Sequence, residues 1–236
     1  MTGGPQRRVY HSDPRARSIA ESNAEFDRLA GRVLAGVLAG SLDPEDAFVL
    51  AAFLEEEGEQ TPLVRELGEA AAAGTDPERI AGLARGLLAA AGFGLWALEP
   101  GLLATLEQAL EVLRADVAAT GLTGPVTLSV KDCNGHAYTE FRGCYGSGGG
   151  IGPETARDPV AALAAVADDL QDAIMDTVWA VWPVCPEHSL GGNARVREGR
   201  AVWWCRGRDH VIAPVGQLTR RNGPDPGLPP FSRERT

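Results

Sequence analysis

The chain has 236 residues, 44% of them apolar and 23% charged. This ordinary globular balance excludes a wholly disordered polymer and allows one large domain or two small ones, each with a core. No apolar run of about twenty residues is free of breaks, which argues against a membrane span. The opening arginines have no apolar stretch behind them, unlike a secretory leader. The net charge of −10 disfavours bulk nucleic-acid binding, so a soluble, cytoplasmic protein is expected.

Lys131 is the only lysine among 22 basic residues. Arginine, alanine, glycine and proline share GC-rich codons, so the composition fits a high-GC, actinobacterial genome, and arginine dominance carries no functional message. Charge is uneven along the chain: net +3 over 1–17, −12 over 18–119, −5 over 120–185 and +4 over 186–236. One reading is a solvated acidic body with loose basic ends. The other is that the basic tail docks on something acidic.

Residues 18–119 read as a helical domain behind a disordered basic segment, 1–17. Phe26, Leu29, Val33 and Val37 recur at helical spacing, as do Ile80, Leu83 and Leu87, and Leu103, Leu106, Leu110, Leu113 and Val117. Asp43-Pro44, Thr61-Pro62 and Asp76-Pro77 each set a capping oxygen before a proline, which has no amide to leave unpaired. Gly40, Gly58, Gly74 and Gly92 stand where the helices should stop. The spacing predicts helices over 15–39, 44–57, 62–73, 77–91 and 100–119. The cluster Glu55, Glu56, Glu57 and Glu59 reads as a solvated helix end.

After Gly121 the period changes to two. Val126, Leu128 and Val130 alternate with polar neighbours, and Ala137, Thr139 and Phe141 do so again beyond Asn134-Gly135. Asn-Gly between two alternating runs predicts a tight hairpin over 125–142, with Leu128 and Phe141 on one face. The glycine-rich stretch 143–152 reads as a flexible loop, not a phosphate cradle, since no Gly-Lys-Ser/Thr follows. Val160, Leu163, Val166, Leu170, Ile174, Val178 and Val181 predict a long helix over 159–182, with Asp168, Asp172 and Asp176 on a solvated side. Two strands follow, near 200–205 and 210–216, and a disordered tail from Leu218. The fold class is α+β: an N-terminal helical bundle, then an antiparallel hairpin, a long helix and a zinc-ribbon-like terminal hairpin, the α+β module covering 120–217.

The cysteines and histidines, four of each, carry the chemistry. Cys185, His188, Cys205 and His210 follow the pattern Cys-x2-His-x16-Cys-x4-His. The two-residue step lets both side chains reach one ion from a single turn, and Cys205 and His210 flank the end of the terminal hairpin. Zinc prefers four tetrahedral thiolate and imidazole ligands, so these four are the candidate metal ligands. A second Cys-x-x-His, Cys133 and His136, with Cys144 nearby, is the competing ligand source. Trp179, Trp182, Trp203 and Trp204 crowd around the same region and read as core packing the long helix on the terminal hairpin.

The segment from Trp182 through Cys185-Pro186-Glu187-His188, followed by Trp203-Trp204-Cys205 and Val215-Gly216-Gln217-Leu218, resembles C-terminal segments of uncharacterised actinobacterial proteins. Those carry a Trp-x-x-Cys-Pro-x-His step and a later Trp-x-Cys strand. The resemblance carries no known activity, and a histidine matching His210 is not part of that pattern, so His136, Cys133 or Cys144 stays open as fourth ligand.

No residue reads as catalytic and no organic cofactor is implied. The first functional expectation is a non-enzymatic protein-interaction or adaptor protein with a structural zinc ion, its partner another protein. The second is a zinc-dependent hydrolase, with three ligands, a water, and Glu187 or Glu140 as base. The third, nucleic-acid binding through the basic C-terminal region, is held back by charge and by the lack of interleaved aromatic and basic residues.

Overall fold

A computed structural model describes residues 18–130 and 135–224. The expected disorder of 1–17 and of the last residues, 225–236, lies outside the described residues. Those described form two units that divide between Gly94 and Leu95. Among them, no helix is long and apolar enough to cross a membrane.

The first unit holds α1 (Ile19–Ala39), α2 (Pro44–Glu56), α3 (Pro62–Ala72) and α4 (Pro77–Ala90). Ser18 and Glu21 form a capping box on α1, and Gly40 ends that helix in the left-handed region. Asp43, Thr61 and Asp76 each accept a backbone N–H from the first turn that their proline opens, as the sequence leads one to expect. Leu29, Val33, Val37, Ile80 and Leu87 of the stripes read from the sequence are buried, and Leu50, Leu67 and Leu88, which no stripe included, complete this core.

The second unit begins with the short helix α5 (Leu95–Leu98) and α6 (Pro100–Ala119). This division falls ahead of the boundary expected after residue 119. α6 supplies Leu106, Leu110, Leu113 and Val117 to a core shared with Val126, Phe141, Val166, Leu170, Ile174, Trp182 and Trp203. A helical period identifies a helix but not the element it packs against. Among the described residues all strands lie after Gly124: β1 (Val126–Val130), β2 (Ala137–Phe141) and β3 (Cys144–Tyr145) form one antiparallel sheet in that order. The helix α7 (Pro159–Val178) follows, then the second antiparallel sheet of β4 (Asn193–Arg197), β5 (Arg200–Cys205) and β6 (His210–Pro214).

The first hairpin departs from its expected register. Val126 pairs with Phe141 and Leu128 with Thr139, two residues off the register that a two-residue Asn-Gly turn would set. Leu128 and Phe141 still share a face, because the shift is even. Asn134 lies outside the described residues, while Gly135 has the positive φ expected of it, 65°. Tertiary anchors hold β2 in place: Asp169 of α7 accepts from both the Thr139 N–H and its hydroxyl, and the Trp96 indole donates to the Gly135 carbonyl at 2.7 Å.

The stretch 143–152 is not a loop free of structure. It contains β3, and Ile151 exchanges backbone hydrogen bonds with Ala137. A Cβ on Gly146 would stand 2.6 Å from the Asp172 Cβ and 2.8 Å from the Ala173 nitrogen, so glycine there serves close approach to α7. The long helix stops four residues early, at Val178, because Trp179 turns left-handed at φ 54°. Its apolar period continues to Val181, which is why periodicity overran the end. β4 was not foreseen, its sequence Asn-Ala-Arg-Val-Arg carrying too few apolar residues to announce a strand.

The tail is ordered from Leu218 as far as Pro224, the last described residue. Leu218 and Asn222 are buried, and Asn222 receives the Val184 N–H and donates to the Val184 carbonyl. The anchor is Asp116 on α6, fully buried, which accepts from the Trp203 indole at 2.8 Å and from the Gly216 and Leu218 amides at 2.7 Å each. Burial pushes its carboxyl up against the pull of these three donors. Of the four clustered tryptophans, Trp182 and Trp203 meet edge-on in the core as expected, whereas Trp179 is about half exposed and Trp204 faces outward.

Candidate metal centre

The site is built by two tight turns. In the first, Cys185 follows the bridge between Val184 and Gly191. The Cys185 amide donates to Leu190 and its carbonyl accepts from Ser189, whose φ is 53°. This closed turn folds His188 back onto Cys185. In the second, Cys205 and His210 are register partners at the end of β5 and β6, and Arg208 and Asp209, both left-handed, reverse the chain between them. The two short spacings seen in the sequence are thus two chain reversals.

The ligand atoms of Cys185, His188, Cys205 and His210 all lie within 4.8 Å of one another, and the group could hold a metal ion. The Cys185 sulfur stands 3.6 Å from His188 Nδ1 and 3.5 Å from His210 Nε2, and the Cys205 sulfur 3.7 Å from His188 Nδ1. A tetrahedral ion with metal–sulfur and metal–nitrogen bonds of zinc length has sulfur–nitrogen edges of about 3.6 Å. Three edges of the coordination tetrahedron therefore have the length an ion would require. Both cysteines are fully buried and both histidines half-buried, so the site is roofed by imidazole.

Gly207 organises three of the four ligands. Its N–H donates to the Cys205 sulfur at 3.3 Å, and its carbonyl accepts from His210 Nδ1 at 2.9 Å. A carbonyl can only accept, so the proton sits on Nδ1 and the Nε2 lone pair is free to bind an ion. A Cβ on Gly207 would stand 2.8 Å from the His188 ring, so only glycine leaves that imidazole its place. Burial pushes the Cys205 thiol up, and the nearby Cys185 adds to this while the Gly207 N–H opposes it. A bound cation would draw the Cys205 thiol into the thiolate form that ligates metal.

Of the competing ligands, the two described ones, His136 and Cys144, stand outside this group. Cys144 is exposed on β3, His136 Nδ1 meets the Gly149 carbonyl at 2.7 Å, and Cys133 lies outside the described residues. Glu187 is exposed beside the site, whereas Glu140 sits on β2, receiving the Ser129 hydroxyl. Sequence reasoning missed Gly207 and Asp116. A glycine two positions after a candidate cysteine ligand, and an acid between Leu113 and Val117 on a buried stripe, are the signals that point to them. No family model matches the chain, and no curated protein and no solved structure matches it.

Proposed function

We propose that this chain is a non-catalytic protein-interaction module whose C-terminal sheet is clamped by one structural zinc ion at Cys185, His188, Cys205 and His210. The observation that supports this reading is the donor set itself: two buried thiols and two imidazoles at tetrahedral edge lengths. Such a mixed sulfur–nitrogen tetrahedron suits zinc, and four protein ligands fill its coordination shell with no position left for a reacting water. The ion would join the turn after α7 to the β5–β6 turn.

Protein purified without added metal should contain about one zinc per chain. Cys185→Ser or Cys205→Ser should remove it and lower the melting temperature, and a chelator should do the same to the wild type. A metal-free, reduced wild type that melts as high as the untreated protein would refute the structural role. The hydrolase alternative requires one of the four residues to be dispensable for zinc binding while a carboxylate near the ion is not.

A further inference from the structure

The two faces of the second sheet differ in charge, one carrying three arginines, although Val202 on that face is buried and Val196 on the other is exposed. Ala201, Trp203 and Cys205 of β5 point into the core and are buried. The alternate positions Arg195, Arg197, Arg200 and Trp204 share the other face, since Arg195 pairs with Val202, Arg197 with Arg200 and Asn193 with Trp204. The three arginines are exposed. The Arg195 guanidinium carbon stands 3.9 Å above the centre of the Trp204 ring. Asp209, in the β5–β6 turn, accepts from the Trp204 indole at 2.6 Å and from Arg197 at 2.9 Å. The basic–aromatic clustering absent from the linear sequence is thus produced by strand register.

We infer that this outward face is a docking surface for an acidic protein segment, bound by the guanidinium groups of Arg195 and Arg200 beside the Trp204 ring. The proposal rests on the interaction-module reading given above and names its partner's chemistry. Asp209 displays the recognition internally, a carboxylate seated on a guanidinium and an indole N–H. Planar guanidinium forks suit carboxylates, and stacking on an indole fixes one fork in place.

A single-stranded nucleic acid fits the face less well. Such strands bind by stacking bases on open aromatic rings. Among the described residues on this face Trp204 is the only ring, it is half-buried, and Arg195 already lies on it. The chain's net charge of −10 also repels a polyanion, whereas the +4 of residues 186–236 is matched to a short acidic segment.

The test uses the full chain with its metal as purified, fluorescence anisotropy, and two labelled probes: a peptide of alternating glutamate and serine, and oligothymidine. The peptide should bind in a salt-sensitive manner and oligothymidine should not. R195E/R200E should weaken peptide binding by about tenfold or more, a change of about 1.4 kcal/mol. R79E/R85E, the same charge change at exposed positions of α4, should leave it unaltered. Metal content is measured on every preparation, and all three proteins should carry equal zinc. Zinc-loaded wild type that ignores the peptide, equal binding by R195E/R200E, or oligothymidine binding as tightly as the peptide would each overturn the proposal. Wild type without zinc that still binds the peptide through Arg195 and Arg200 would instead refute the zinc reading and leave this surface standing.

Discussion

Replacing Asp116 by alanine should unfold much of what holds the C-terminal segment to α6. The side chain is fully buried and accepts three N–H groups, from Trp203, Gly216 and Leu218. Alanine leaves all three donors without a partner, at about 1–3 kcal/mol each. Part of this is offset because a carboxylate, which burial disfavours, is no longer desolvated. The net loss expected is about 3–5 kcal/mol, a large share of a domain's total. Asp116→Asn keeps one carbonyl oxygen as acceptor but turns an NH2 toward a donor, so it should cost less, about 2 kcal/mol. All five tryptophans lie in the second unit, so denaturant unfolding followed by tryptophan fluorescence reports on that unit alone. A loss below about 1 kcal/mol for alanine, or asparagine as damaging as alanine, would refute the argument that Asp116 is the anchor.

Gly207→Ala places a methyl group 2.8 Å from the His188 ring at a backbone conformation alanine tolerates; metal affinity measured by chelator competition should fall about 10–100-fold, and unchanged affinity would show that His188 is not held there. Gly146→Ala drives a Cβ into the backbone of α7 at Ala173 and should cost about 1–3 kcal/mol by the same fluorescence assay. Burial, with mutual repulsion among the acids, pushes the Asp168, Asp169 and Asp172 carboxyls above the ordinary aspartate value of 3.8. Carboxyls raised in the folded state favour the fold below that value and lose the advantage as pH rises through their own titration. D168N/D172N should therefore be more stable than the wild type at neutral pH, with the gap closing as pH falls below about 4; a gap that does not change with pH would count against the linkage.

What the sequence revealed and what it hid follow from the range of the forces involved. Helices capped by Asp43, Thr61 and Asp76 ahead of a proline were legible because cap and breaker act within one turn. The partner of α6 was not, because Leu106 and Leu110 look the same whether they face another helix or Phe141 and Ile174. The first hairpin kept its faces but not its register, and Asp169 and Trp96, which anchor Thr139 and Gly135, are too distant in sequence to be read from the strand pattern. The four residues of the candidate metal centre were readable as a group because each pair spans one short chain reversal, although the same Cys-x-x-His spacing at Cys133 and His136 shows that spacing alone does not single them out. The supports around them were not. Gly207 acts through its backbone and Asp116 through a buried carboxylate, and β4 is so rich in arginine that only its pairing with β5 marks it as a strand.

X-ray absorption at the zinc edge, on full-length protein purified without added metal, tests the central claim most directly. The account expects two sulfur neighbours at about 2.3 Å and two nitrogen neighbours at about 2.0–2.1 Å, one sulfur being lost in Cys205→Ser. Absence of zinc, or a shell of three protein ligands completed by an oxygen, would contradict it.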